Sequence, residues 1–427
     1  MQSEFAAQRR DLLSLFECAV EAVSAERVMP KLLPSASQGR LLPIAIGKAA
    51  SAMMSVALER IEGVSSGLVV TRRGHLSADF TARQGIEIIE AGHPVPNLQS
   101  VRAAERALEL AHALGPQDHL LLLLSGGGSA LLSAPVEGIT LADKRSTTSS
   151  LLASGATIAE INAVRKHLSR IKGGRLAVAA GPARVTTLII SDVPGDDPSF
   201  VSSGPTVADN TTLGEAREIV EKYGIPLSNS TRRALADPAN ETPPADSLGL
   251  AGSAIMVIAR ARDALAAAAT WGTARDYAVT DLGDTLQAEA RYLGASHAAL
   301  ARRLAADGKR RVIISGGETT VTVVNKHGRG GRNLEYLLGC AIALGGEPGI
   351  CALACDTDGI DGTEEAAGAI VTPDTLSRAA ALGLDPAEHL ASNNAFLFFA
   401  ALGDLVVTGP TLTNVNDFRA IIIDGDR

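Results

Sequence analysis

Short apolar runs recur along the whole chain and alternate with stretches of helical periodicity. The runs lie at 41–46, 67–71, 86–90, 120–124, 187–190, 254–259, 278–280, 312–314, 350–354 and 405–407. Between them, apolar residues at helical spacing predict amphipathic helices over 100–114, 141–154, 158–169, 214–223, 263–271, 285–306, 334–344 and 394–402. Alternation of this kind builds layered α/β folds with mostly parallel sheets. A chain of 427 residues exceeds one ordinary core and predicts two or three domains. The polar, proline-rich segment 237–247 reads as a linker or surface loop, so the boundary is placed beside it. One domain then spans 1–240, with its N-terminal helix able to pack on the second domain, and the other spans 250–427. Alternation at 318–325 suggests an antiparallel hairpin, and 409–424 reads as extended chain. Leu12, Leu15, Phe16, Ala19, Val20 and Val23 fall on one face of an N-terminal packing helix.

Charge and composition exclude several classes. A formal net charge of -8 argues against a nucleic-acid surface, which would cluster Lys and Arg. An anion site in such a protein needs locally concentrated positive groups. Cys351 and Cys355 are spaced C-x3-C, but no second pair or His completes a zinc set, so they read as buried strand thiols. Arg9, Arg10, Asp11 and Glu17 interrupt the N-terminus, which therefore does not read as a signal peptide. No stretch reaches the roughly 18 apolar residues that span a bilayer. These readings place the protein in the cytoplasm.

The chemistry-bearing segments sit where strands end. The run 120–124 leads into Ser125, Gly126, Gly127, Gly128 and Ser129. In open α/β sheets, ligands bind beyond the carboxyl ends of strands. Glycines let backbone N–H groups converge on an anion, the serines add hydroxyl donors, and a helix after Gly128 would add its positive end. A tight turn is the alternative. The segment is neither a Walker A motif nor a dinucleotide G-x-G-x-x-G. Lys48 lies at a second strand–turn–helix junction. It is either an exposed lysine or a mobile cation for transferring phosphates. Arg329 and Arg332 flank a glycine turn and could grip carboxylate or phosphate, or form a solvated basic loop. Acidic groups cluster at Asp192, Asp196 and Asp197, and again at Asp356, Asp358 and Asp361. Carboxylates there could hold Mg²⁺ or take a hydroxyl proton, although turn-forming Asp explains some of them. His93 could touch ligand, but it reads first as a plain loop histidine. LLLLSGGGS and VIISGGET form a weak local echo; any strand entering a tight turn favours Ser and Gly, and no duplication is claimed.

Taken together, nine segments in order resemble the glycerate 2-kinase family, whose C-terminal lobe is called the MOFRL domain. They are IAIGKAASAM, EAGHPVPN, LLLLSGGGSALL, INAVRKHLSRIKGGRLA, SDVPGDDPSFVSSGPT, ISGGETTVTV, GRGGRNLEY, DTDGIDGTEEAAGA and TGPTLTNVND. The resemblance implies two α/β domains: a Rossmann-like parallel sheet with helices on both faces, and a smaller mixed-sheet MOFRL-like domain. It also implies an active site in the cleft between them. The implied activity is ATP-dependent, Mg²⁺-assisted phosphorylation of the 2-hydroxyl of D-glycerate, with no nucleic-acid or membrane partner and room for a homo-oligomer. Carried over by motif, Lys48 and Arg332 are the catalytic cations and Asp192 orients the hydroxyl. Ser125, Gly126, Gly127, Gly128 and Ser129 belong to the nucleotide phosphate site, with Glu318 and Asn414 binding substrate or nucleotide. Asp192, Asp356 and Asp358 are the implied metal ligands, with Asp356 and Asp358 not separable. This reading expects Lys48→Ala and Arg332→Ala to cut turnover by orders of magnitude with the fold intact. Two alternatives stand beside it: a hydroxypyruvate reductase using NAD(P)H, and a non-catalytic sugar-acid sensor.

Overall fold

The computed structural model describes residues 5–34, 39–77, 80, 84–362 and 364–425. Thr363, inside the segment DTDGIDGTEEAAGA, lies outside them. The chain divides into two compact units, Ala25–Ala259 and a second formed by Met1–Ser24 with Arg260–Arg427.

The Ala25–Ala259 unit is built on strands β1 (Leu41–Ile46), β2 (Gly67–Arg72), β3 (Ile86–Ala91), β4 (His119–Leu124), β5 (Arg184–Ile190) and β6 (Ala254–Ala259). They form one sheet in the order β3-β2-β1-β4-β5-β6, with every pair parallel. The apolar runs dictate this. Successive residues of a strand face opposite sides, and Leu120 through Leu124 are all fully buried, so both faces of β4 are covered by other elements. The edge strand β3 is less completely covered, with Glu87, Ile88 and Glu90 at its less buried positions. On one face, Leu122 and Leu124 pack with Ala103, Ala107 and Leu176. Between β4 and β6 the chain adds a helical layer with its own small core, including Leu151, Ile161, Val164, Leu213 and Val220.

The second unit contains β7 (Ala278–Asp281), β8 (Arg311–Ser315), β9 (Ile350–Asp356), β10 (Gly368–Val371), β11 (Leu405–Val406) and β12 (Asp417–Ile423). Their order is β11-β10-β9-β12-β8-β7. Only β7 and β8 pair in parallel; β12 runs antiparallel to both β8 and β9, as β10 does to β9. This sheet is mixed, as the resemblance implied, and the Ser-Gly echo sits on two sheets of different topology. The N-terminal helix Ala6–Ala22 belongs to this unit. It buries Leu12, Leu15, Phe16 and Ala19, with Phe16 at 6.0 Å from the ring of Phe418.

Two expectations are corrected. The segment 237–247 is not the boundary, because the chain continues past it to supply β6 to the first sheet. It is instead a fastened surface loop: Glu241 accepts from the backbone of Leu213 at 3.0 Å and meets His167 at 2.9 Å. Nor does 318–325 form a hairpin. Glu318 and Thr320 donate their backbone N–H groups to Leu286 and Ala288, and Val324 donates to the Asn393 side chain. Pairing with distant chain satisfies the backbone that local alternation assigned to a neighbour. Among the described residues, no helix is long and apolar enough to cross a membrane. Cys340, Cys351 and Cys355 are buried free thiols. Burial pushes Cys340 and Cys351 up to about 12, which makes them inert.

Candidate active site

In the parallel sheet the strand order reverses between β1 and β4, and the loops leaving a parallel sheet at such a point form a ligand crevice. Lys48 follows β1, the glycine loop follows β4, and Asp192 follows β5. Three adjacent strands therefore deliver the predicted residues to one edge. The first two loops are joined directly. Lys48 donates its backbone N–H to Gly126 at 3.1 Å, Ser125 donates to Ile46 at 2.9 Å, and Ala49 donates to the Ser125 hydroxyl at 3.0 Å. Ser125 is fully buried. It ties the loops together instead of offering its hydroxyl to a ligand. The approach requires Gly47, whose φ is +119°: a Cβ there would lie 2.2 Å from the Ser125 hydroxyl. Gly47→Ala should cost about 2 kcal/mol or more in urea unfolding. A variant within about 0.5 kcal/mol of wild type would show that the loops separate freely.

Gly127, with φ of +85°, turns the loop beneath His93 and Lys48. A Cβ on it would meet the His93 ring at 3.1 Å and Lys48 Cγ at 3.8 Å. The loop histidine thus stands beside the glycine turn. The helix expected after Gly128 is a single turn, Gly128–Leu131, and a helix that short has little macrodipole to contribute. Positive charge comes from side chains instead. Ser129 Oγ accepts from Arg165 at 2.6 Å and Lys172 at 3.1 Å, and meets Ser203 Oγ at 2.7 Å. Ser202 and Ser203 both adopt left-handed backbone, at φ of 53° and 60°. Consecutive non-glycine residues in that region are strained, and such strain concentrates at functional sites.

The second unit gathers charge around Arg332, the first residue of the helix Arg332–Leu344. A cation there opposes the helix dipole, so it needs carboxylates nearby. Arg332 pairs with Glu318, with Asp356 at 3.1 Å and with Asp417 at 3.2 Å. Burial alone would lower its guanidinium, but Asp417, Asp356, Glu318 and Asp361 outweigh burial and raise it. Asp356 and Asp417 stand directly opposite each other on β9 and β12, a like-charge pairing that Arg332 bridges. Asp417 is also held by Asn333 at 2.9 Å and by the buried Arg419 at 2.6 Å. Asn414 is buried in the loop before β12, where its side-chain oxygen accepts from the backbone of Asn416.

The acidic run after β9 divides into separate jobs. Asp356 Oδ2 takes Arg332 and its Oδ1 takes the backbone N–H of Asp358 at 3.1 Å. Asp358 accepts from the backbone of Ile360 at 2.8 Å. Asp361 accepts from the backbones of Asn333 at 3.1 Å and Leu334 at 2.9 Å, covering the start of the arginine's helix. Among the described residues no group of three or more His, Cys, Asp or Glu is arranged to hold a metal. Arg329 does not share the charge cluster. It pairs with Glu364 at 2.6 Å and lies 4.4 Å over Phe396.

Asp361 is fully buried, and burial pushes its carboxyl up to about 7 against the pull of its two backbone donors. Unfolded, it would titrate near about 4. Folding therefore takes up a proton between these values, and the stability this group contributes is lost as pH rises through them. The loss is at most about 1.4 kcal/mol per pH unit. Urea melts of wild type and Asp361→Asn should show wild type losing stability relative to the variant across that window. A flat difference would mean that Asp361 is ionised throughout.

Sequence reasoning missed Asp417, Arg419, Asn333 and the capping role of Asp361. A signal was present in DFRAIII, where opposite charges two residues apart interrupt an apolar strand. Charged groups in such a strand are buried only if paired.

The comparisons agree with this architecture. A family model described as a domain of unknown function (DUF4147) matches residues 11–236, and the MOFRL family model matches 311–417. An Agrobacterium vitis protein, provisionally named a hydroxypyruvate reductase, is 48% identical and covers 97% of this chain and 94% of its own. The D-glycerate 2-kinase of Thermotoga maritima is 38% identical, covering 95% of this chain and 96% of that one. The crystal structure of glycerate kinase from T. maritima matches with a TM-score of 0.86 at 37% identity, covering 98% of this chain and 99% of that one. Likeness of this degree over nearly the full length of both chains, with the MOFRL model falling on the mixed sheet, makes this chain a member of the MOFRL-domain glycerate 2-kinase family.

Proposed function

We propose that this chain is an ATP-dependent glycerate 2-kinase that moves the γ-phosphoryl group of ATP to the 2-hydroxyl of D-glycerate, releasing ADP. The observation that carries the reading is 38% identity to a D-glycerate 2-kinase across 95% of the chain. Phosphoryl transfer asks a protein for positioning and charge neutralisation more than for covalent chemistry. Lys48 and Arg332 neutralise charge on the moving group. The glycine loop cradles nucleotide phosphates with its backbone N–H groups, and Ser125 holds that loop in place. Asp192 orients the 2-hydroxyl and accepts its proton as the new O–P bond forms. Glu318 and Asn414 bind substrate, and Glu318 also steers the Arg332 guanidinium. Asp356 is occupied in fixing Arg332, so we assign the remaining acidic role in that run to Asp358. Asp192 and Asp358 are hard oxygen donors of the kind Mg²⁺ prefers. When bound, Mg²⁺ would neutralise phosphate oxygens.

The name carried by the A. vitis relative favours a second reading, reduction of hydroxypyruvate. The strand order is compatible with a dinucleotide, but the turn after β1 lacks the glycine fingerprint that a pyrophosphate needs. Two assays separate them. ADP release with D-glycerate, followed by NMR showing phosphorus coupled to the C2 proton, supports the 2-kinase. Coupling to the C3 protons would move the reaction to the other hydroxyl. Loss of NADH or NADPH absorbance with hydroxypyruvate, without ADP release, would sink the kinase reading.

A further inference from the structure

The Ala25–Ala259 unit contains a cavity of about 400 Å³ to which no role has yet been given. Lys144, from the helix Leu141–Ala153, and Arg165, from the helix Ile158–His167, line it together with Lys172 and Ser129. Val95, Pro96 and Leu152 supply an apolar stretch of wall. The cations are deeply buried: Lys144 is 4% exposed and Lys172 is 1% exposed.

Their partners are neutral or missing. Lys172 donates to the Ser129 carbonyl at 2.9 Å, to Ser129 Oγ at 3.1 Å and to the Ser202 carbonyl at 3.4 Å. Arg165 donates to Ser129 Oγ and Asn162. The Lys144 ammonium has no hydrogen-bond partner among the described residues. Two acidic residues of this unit are already engaged, Asp209 by Lys166 at 3.0 Å and Glu241 by His167 and the Leu213 backbone. Burial first, and then repulsion among the cations, pushes both lysines well below the ordinary lysine range.

A purely structural purpose explains this poorly. Each buried ion costs several kcal/mol, and apolar residues of similar volume would stabilise the fold better. The arrangement becomes favourable when an anion enters. One carboxylate would bring a single charge to three cations, whereas a polyphosphate chain brings several. The volume suits a nucleotide-sized ligand rather than a three-carbon acid. Ser129 links the cavity to the glycine loop.

We propose that this cavity is the subsite for the polyphosphate chain of the nucleotide, with Lys144, Arg165 and Lys172 as its counter-charges. The inference rests on the reading of the chain as an ATP-dependent kinase. Calorimetric titration of the full chain with inorganic tripolyphosphate, ADP and D-glycerate, each separately, tests it. Lys144→Met and Lys172→Met should each weaken tripolyphosphate and ADP by about tenfold or more and leave D-glycerate binding unchanged. Without ligand, Lys144→Met should unfold at the wild-type temperature or higher. Unchanged affinity for tripolyphosphate, or its absence in the wild type, would overturn the proposal. Loss confined to D-glycerate would make the cavity a carboxylate site, and a lower unfolding temperature with unchanged binding would make the lysines structural. If tripolyphosphate binds as expected but D-glycerate releases no ADP, the anion cavity stands and the kinase reading falls.

Discussion

Arg332→Ala should lose both turnover and stability. The catalytic loss is expected at about 10²- to 10³-fold, the usual effect of removing one preorganised charge from a transition state. The structural loss follows from what Arg332 holds. Asp356 and Asp417 face each other on neighbouring strands and are almost fully buried. Removing the guanidinium that bridges them strips Asp356 of that counter-charge, at a cost of about 3–5 kcal/mol, while Asp417 keeps its pairing with Arg419. The ion pairs around Arg332 thus add a stability loss to the loss of turnover that the sequence reading expected. Urea unfolding of the variant beside wild type reads the effect. Arg332→Leu combined with Asp356→Asn should recover part of the stability and none of the turnover. A single variant as stable as wild type would show that Arg332 is not the counter-charge.

Lys48→Ala should separate the two effects that Arg332 combines. Turnover is expected to fall by about 10²- to 10³-fold, while unfolding stays within about 0.5 kcal/mol of wild type. The reason is local. Its backbone N–H, donated to Gly126, is a bond to the glycine loop that alanine keeps. The side chain is half-buried at the end of β1 and can be shortened without opening the core. Near-normal turnover in the purified variant would reject a catalytic role for Lys48. A large stability loss would place the ammonium in the fold rather than in the reaction.

Much of the scaffold could be read directly. The leucine run in β4 is apolar at every position because both faces of the sheet are covered, and a parallel strand has no polar face to display. The glycine loop, Lys48 and Asp192 were recognisable because each follows such a run. Other elements were hidden for identifiable reasons. β10 has only four residues and too little pattern to stand out. β6 joins the first sheet from beyond a proline-rich segment that looked like a linker, and nothing local announces its partner.

The charged residues divide in the same way. Local spacing marks where a strand ends and which polar groups follow it, so the order of the motifs, the α/β class and the family were determined by the sequence alone. Which carboxylate faces which cation was not, because those pairs join residues far apart in the chain. Asp417 meets Arg332 across 85 positions, and Lys172 reaches Ser129 across 43. Burial and pairing are properties of the packed interior. Only the tertiary structure could decide that Asp361 covers a helix start, that Asp356 is committed to Arg332, and that Lys144, Arg165 and Lys172 share a cavity. The physical reason is that the cost of a buried charge depends on its neighbours in space, and those neighbours exist only once the chain has folded.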